Sequence, residues 1–179
     1  MIKVIAFDLV GVLLKENSFV LDEKHDKLER TFGKEISDED VIKYGLTIGF
    51  NSEDEVIKAM DYIVSNIYDI KYNPIMLRHA FPGLKILVAS NHIKAINNLL
   101  EKEFINVFDD ILISNYVNAF KPNSNFYEKL IEISKVKPNE ILFLDDNIDN
   151  IKGAEKLGIK TLLVNKNDNI HENIIKILK

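Results

Sequence analysis

The sequence predicts an α/β fold, a Rossmann-like three-layer sandwich with a parallel sheet and a small helical cap inserted after the first strand. Short apolar runs alternate with longer segments of helical period, the pattern of parallel strands covered by helices on both faces. Residues 15–80 break that alternation and read as helices alone. The residues best suited to chemistry also follow directly on the apolar runs, where an open α/β sheet binds its ligands.

The apolar runs are Ile2 to Phe7, Leu84 to Ala89, Ile111 to Ile113, Ile141 to Leu144 and Thr161 to Val164, each expected as a strand buried on both faces. Met1 to Leu14 has some likeness to the core of a signal peptide. Asp8 interrupts it, however, and no small-residue cleavage site follows, so it reads as a strand and its loop. After the fourth run, Ile148, Ile151, Ala154 and Leu157 recur at helical spacing, and Gly158 supplies a stop signal. Ser124 opens another helix with Phe126, Leu130 and Ile133 apolar, and Ile170 to Leu178 forms the last.

Between the first two runs, Ser37 followed by Asp40 and Ser52 followed by Glu55 resemble capping boxes. They predict helices over Leu21 to Phe32, Asp38 to Gly45 and Glu53 to Tyr68, with no strand. The aromatic residues Phe19, Phe32, Tyr44, Phe50, Tyr62 and Tyr68 read as the insert's core, and Asp22 to Arg30 as a solvated helix face of mixed charge. The expected division is a core of residues 1–14 and 81–179 and a cap of residues 15–80.

Composition narrows the function. The chain of 179 residues carries 23 Lys and Arg against 28 Asp and Glu, a formal charge of −5, which argues against a general nucleic-acid binder. With no cysteine there is no disulfide, thiolate metal site or Cys nucleophile, and a reducing compartment fits. No stretch approaches the roughly 20 apolar residues of a membrane span, so a soluble, cytoplasmic monomer or homodimer is expected, with no membrane partner.

Just after the apolar runs stand Asp8, then Ser90 and Asn91, then, in the loop after the third run, Lys121 before Pro122, then Asp145 and Asp146. Three carboxylates, a lysine and a hydroxyl at one rim suit a divalent hard cation together with a phosphate. Plainer roles exist for several of them. Asp145 and Asp146 are placed to start a helix, and Ser90 and Asn91 to cap one beginning at Ile93. His92 reads as a solvent-facing residue at that helix start, with a smaller claim as a proton donor.

Phe7-Asp-Leu-Val-Gly-Val-Leu13, Val88-Ala-Ser-Asn91, Phe120-Lys-Pro122 with Phe126-Tyr-Glu-Lys-Leu130, and Phe143-Leu-Asp-Asp-Asn147 leading to Asn150 resemble, in order, the four motifs of the haloacid dehalogenase (HAD) superfamily. The insert between the first two motifs is similar to the C1 cap of its subfamily I. The resemblance implies a magnesium-dependent phosphohydrolase of a small phosphorylated metabolite. Asp8 would be the nucleophile that becomes an aspartyl phosphate. Asp8, the backbone carbonyl of Val10, Asp145 and Asp146 would serve Mg2+, and Asn150 would steady a metal-bound water. Ser90, Asn91 and Lys121 would bind the phosphoryl group, with Lys121 offsetting its repulsion from Asp8.

One position departs from that pattern. Family phosphatases usually place a second aspartate two residues after the nucleophile, as proton donor and then base, and here it is Val10. Four explanations stand open. They are a phosphatase with a good leaving group or a substitute acid; a dehalogenase, against which Asp145 and Asp146 count; a phosphonate hydrolase using Lys15, Lys24, Lys27 or Lys34; and a non-catalytic or weakly active phosphate-binding, regulatory protein. A phosphorylated receiver domain is disfavoured, because its paired acids precede the phosphorylated aspartate.

Overall fold

The computed structural model describes residues 1–179, the side chain of Pro74 excepted. In chain order the elements are β1 (Val4–Phe7), β2 (Leu14–Glu16), α1 (Glu23–Glu29), α2 (Asp38–Thr47), α3 (Glu53–Ile67), β3 (Tyr68–Ile70) and α4 (Pro74–Ala80). Then come β4 (Lys85–Ser90), α5 (Ile96–Glu103), β5 (Asp110–Ile113), α6 (Ser114–Val117), α7 (Ser124–Ser134), β6 (Ile141–Asp145), α8 (Ile148–Glu155), β7 (Lys160–Leu163) and α9 (Ile170–Leu178).

Five strands form a parallel sheet in the order β5-β4-β1-β6-β7. Its central strand is β1, buried along its whole length, and the expected strands all appear within one or two residues of their apolar runs. Side chains alternate between faces with the strand period of two. Ile5 and Phe7 enter one hydrophobic cluster, while Val4 and Ala6 enter another with Phe126, Leu130 and Phe143. These are the two interfaces of a three-layer Rossmann-like α/β sandwich.

The chain leaves β1 on the β4 side, returns through β6 on the other, and so creates a topological switch point between β1 and β6. Register fixes what meets there. Phe7 stands opposite Val88 of β4 and Leu144 of β6, so the residues that follow, Asp8, Ser90 and Asp145, emerge along one edge.

Residues 15–80 differ from expectation in one respect. They contain β3 and most of β2, which pair antiparallel with Leu14 opposite Ile70 and Glu16 opposite Tyr68. Each strand has only three residues, too few to show a period, and each finds its partner more than fifty residues away. The short α4 was also not anticipated. Helix starts followed their signals: Ser37 Oγ accepts from the Asp40 N–H and Ser52 Oγ from the Glu55 N–H, each at 3.2 Å. Asp22 caps α1, which stops at Glu29 rather than Phe32.

The inserted helices do not have a separate core. Leu28, Val41, Val56 and Ile63 belong to the same cluster as Phe7, Ile86 and Val88 of the sheet. The insert's aromatic residues divide: Phe50 is buried, whereas Phe19, Tyr44 and Tyr62 are exposed, which corrects their reading as core. No helix is long and apolar enough to cross a membrane among the described residues.

Candidate active site

The site begins with the end of β1. The Asp8 N–H donates to the Leu144 carbonyl at 2.9 Å, carrying the β1–β6 ladder one residue further and fixing where the Asp8 side chain leaves the sheet. The chain then coils tightly, with the Leu9 carbonyl accepting from the N–H groups of Val12, Leu13 and Leu14. Gly11 lies in this coil at φ +91°, a region that side-chain-bearing residues rarely adopt, and a Cβ on it would lie 2.0 Å from Asp146 Oδ2. The missing side chain is therefore what lets the Asp146 carboxylate rest against the loop after Asp8.

Lys121 is at the electrostatic centre. Its Nζ lies 2.8 Å from Asp8 Oδ1 and 2.6 Å from Asp145 Oδ2, with the side chain 1% exposed. Burial alone would depress this lysine, but Asp8 and Asp145 outweigh it and hold the ammonium protonated above its ordinary range. The loop carrying it is held by Asn91, whose Nδ2 donates to the Lys121 carbonyl and whose Oδ1 accepts from the Lys121 N–H, both at 2.9 Å. Both ends of the Asn91 amide are thus engaged with backbone, and Asn91 lines the cleft together with the buried Ser90.

Asp145 is fully buried and surrounded by donors: Lys121, the Asn147 N–H at 2.8 Å to Oδ1, and Asn150 Nδ2 at 3.0 and 3.1 Å to its two oxygens. Burial, then the neighbouring Asp8, push its carboxyl up to about 6 against the opposing pull of Lys121. Asn150 acts on Asp145 directly, whereas the family resemblance led to the expectation of a water-steadying role. Tyr127 fixes the same turn, its hydroxyl donating to the Asn150 carbonyl at 2.6 Å.

Removing the lysine from so dry a cluster leaves two carboxylates without their cation. Lys121→Met is expected to destabilise the fold by about 3–5 kcal/mol, read as a lower urea midpoint in EDTA. An unchanged midpoint would mean that the cluster is far wetter than its burial indicates.

One carboxylate oxygen from each of Asp8, Asp145 and Asp146 lies within 4.8 Å of the others, a set of hard oxygen donors that fits a magnesium ion. Asp146 is the exposed member, while Asp145 already meets donors on both oxygens and suits a place behind the ligand set. The cluster opens into a cleft of about 390 Å³ lined by Asp8, Val10, Ser90, Lys121, Asp146 and Asn150, with Gly33 of the inserted segment among the other lining residues. A larger cavity of about 530 Å³ between α4 and α9 is lined mainly by apolar side chains such as Phe7, Leu77 and Ile174, without an acidic or basic cluster.

His92 departs from expectation. Instead of facing solvent it is 2% exposed, packed between Phe32 and Tyr68, and the helix after it begins only at Ile96. Burial lowers its pKa to about 4, so the ring is neutral. Nδ1 faces the Ile93 carbonyl at 3.4 Å and Nε2 accepts from the Tyr68 hydroxyl at 3.1 Å. It is not among the residues lining the cleft, which removes it as a substitute acid.

A pH effect follows. The folded-state pKa of about 4 lies below the ordinary value of 6.5, so unfolding takes up a proton as pH falls between them. The His92 contribution is complete above 6.5 and is lost toward 4, by on the order of 3 kcal/mol. Urea midpoints at pH 7.5 and 5 should therefore differ more in the wild type than in His92→Gln. Equal differences would contradict a neutral buried ring.

Sequence reasoning missed Lys71, whose Nζ donates to the Gly11 carbonyl at 2.6 Å. It belongs to no motif, and its partner lies sixty residues away.

Residues 76–164 match the family model for haloacid dehalogenase-like hydrolases. The bifunctional epoxide hydrolase 2 of Mus musculus is 42% identical over 57 residues, 32% of this chain and 10% of that protein. This chain thus spans only a small part of the first curated relatives it matches. A glyceraldehyde 3-phosphate phosphatase from Pyrococcus furiosus is 24% identical over 90% of this chain and 80% of its own length. Among solved structures, a HAD family enzyme from Bacteroides thetaiotaomicron superposes with a TM-score of 0.76 at 19% identity, covering 97% of this chain and 98% of that one. The same enzyme has also been solved in complex with magnesium and inorganic phosphate. Residues 76–164 thus carry the match to the haloacid dehalogenase-like hydrolases, and the whole chain shares the fold of that HAD family enzyme.

Proposed function

We propose that this protein is a magnesium-dependent phosphohydrolase of a small phosphorylated metabolite, working through an aspartyl phosphate on Asp8, with residues 15–80 as its cap. The observation that carries this reading is the buried contact of Lys121 with both Asp8 and Asp145 at the switch point of the sheet, beside Asp146 and Ser90. Asp8, the Val10 carbonyl and Asp146 would hold the metal, with Asp145 directly behind. Bound there, magnesium would neutralise charge on the phosphoryl oxygens.

The protein's own groups then divide the work. An Asp8 oxygen attacks phosphorus as the bond to the leaving oxygen breaks, and Lys121 lowers the repulsion between carboxylate and phosphoryl group. Ser90 donates a hydrogen bond to a phosphoryl oxygen. Water then attacks phosphorus, releasing phosphate and restoring the carboxylate. Val10 lines the cleft where the family resemblance calls for the proton-transferring aspartate, and its hydrocarbon side chain transfers none. Substrates whose leaving group departs unprotonated, such as acyl phosphates, phosphoanhydrides or aryl phosphates, suit this site best.

Val10 also favours a second reading, a protein that accepts a phosphoryl group and turns it over slowly. Hydrolysis of p-nitrophenyl phosphate tests the first, because its leaving group hardly needs a proton. Turnover with magnesium that disappears in EDTA is the expected result. Absence of turnover in both conditions would favour the slow reading, and metal-independent halide release from a 2-haloacid would overturn both.

A further inference from the structure

We propose that Lys71 is a positioning residue that sets the metal-binding loop from the far side of the chain, an inference that rests on the magnesium-dependent reading above. Lys71 directly follows β3, where the chain returns from the inserted helices. Its backbone N–H donates to the Leu13 carbonyl at 2.8 Å and its Nζ to the Gly11 carbonyl at 2.6 Å. One residue of the return segment thus holds the nucleophile loop at two points.

The geometry at Gly11 gives this contact its consequence. The Gly11 N–H donates to the Leu14 carbonyl at 2.9 Å, and because a peptide unit is planar, that bond also sets the direction of the Val10 carbonyl. Lys71 fixes the next peptide unit through the Gly11 carbonyl. With both neighbouring planes held, the φ of +91° at Gly11 is determined, and with it the hollow in which the Asp146 carboxylate rests. Two of the expected magnesium ligands, the Val10 carbonyl and Asp146, therefore depend on a contact made by a residue that touches neither ion nor substrate.

The charge of Lys71 acts in the opposite direction. It draws the Asp146 carboxyl down, against the upward push of burial and of Asp8, and a cation in that position repels a second cation. Removing Lys71 would tighten magnesium binding if only its charge mattered. Losing the hydrogen bond would weaken it. The sign of the change therefore separates a bystander charge from a positioning residue.

The test is calorimetric titration of Mg2+ into wild type, Lys71→Met, Lys71→Gln and Lys71→Arg, alongside Asp146→Asn. Met and Gln are expected to weaken Mg2+ binding about 10-fold or more, the effect typical of lost outer-shell contacts, while Arg restores most of it. In turnover, the Mg2+ concentration for half-activation should rise in Met and Gln, with the substrate KM at saturating Mg2+ unchanged. Unchanged or tighter binding in both variants would overturn the role of Lys71. A lowered urea midpoint with unaltered Mg2+ affinity would do the same, since it would reveal ordinary structural support. If the wild type bound no Mg2+, or Asp146→Asn bound it equally well, the underlying metal site itself would fail.

Discussion

Asp8→Asn is expected to lower turnover of p-nitrophenyl phosphate by about 10⁴-fold or more while leaving the fold intact. The amide keeps nearly the same shape but is a far weaker nucleophile and a poorer ligand for a hard cation. Stability should not suffer. Asp8 and Asp145 repel each other across Lys121, and that repulsion is part of what lifts the Asp145 carboxyl to about 6. With Asp8 neutral, Lys121 still has Asp145 at 2.6 Å, and one source of strain is gone. The EDTA urea midpoint of the variant should equal or exceed that of the wild type. Residual activity within tenfold of the wild type would place the nucleophile elsewhere.

Val10→Asp should act in the opposite direction. Restoring a positioned acid and base is expected to raise kcat/KM, which reports transfer to Asp8, by about 10²- to 10⁴-fold for alkyl phosphates and far less for p-nitrophenyl phosphate, whose leaving group needs little protonation, while kcat for the aryl substrate rises because the aspartyl phosphate breaks down faster. Val10 is only partly buried and lines the cleft, so a carboxylate there remains hydrated. The contrast between the two leaving groups, measured on one variant, isolates proton transfer from any general change in affinity. Equal gains in kcat/KM on both substrates, or none on either, would show that protonation of the leaving group does not limit the transfer to Asp8.

The fold was legible in the sequence wherever a segment is buried on both faces. β1, β4 and β6 appear as continuous apolar runs because each is covered by helices above and below, and the residues after them could be picked out from that fact alone. The antiparallel pairing of β2 with β3 was not legible, since three-residue strands carry no period and their pairing depends on the tertiary path.

The site divides in a similar way. That Asp8, Ser90, Asp145 and Asp146 share one rim followed from strand ends, and Lys121 from the loop after the third run and its Lys-Pro pair in motif order. What each touches did not. Asn91 and Asn150 line the cleft and also hold neighbouring groups in place, contacts that residue type does not encode. His92 was misjudged because its burial depends on Phe32 and Tyr68 of the inserted segment, which only the folded chain brings over it. Lys71 had no local signal at all.

Covalent trapping tests the phosphoryl-transfer reading most directly. Without the aspartate that would activate water, the aspartyl phosphate formed from p-nitrophenyl phosphate should break down slowly and accumulate. Acid quenching during turnover with magnesium, followed by peptide mass spectrometry, should find a phosphoryl adduct on the peptide containing Asp8. It should be absent in EDTA, absent in Asp8→Asn and much reduced in Val10→Asp. Turnover with no adduct in the wild type, or an adduct on another residue, would contradict Asp8 as the nucleophile.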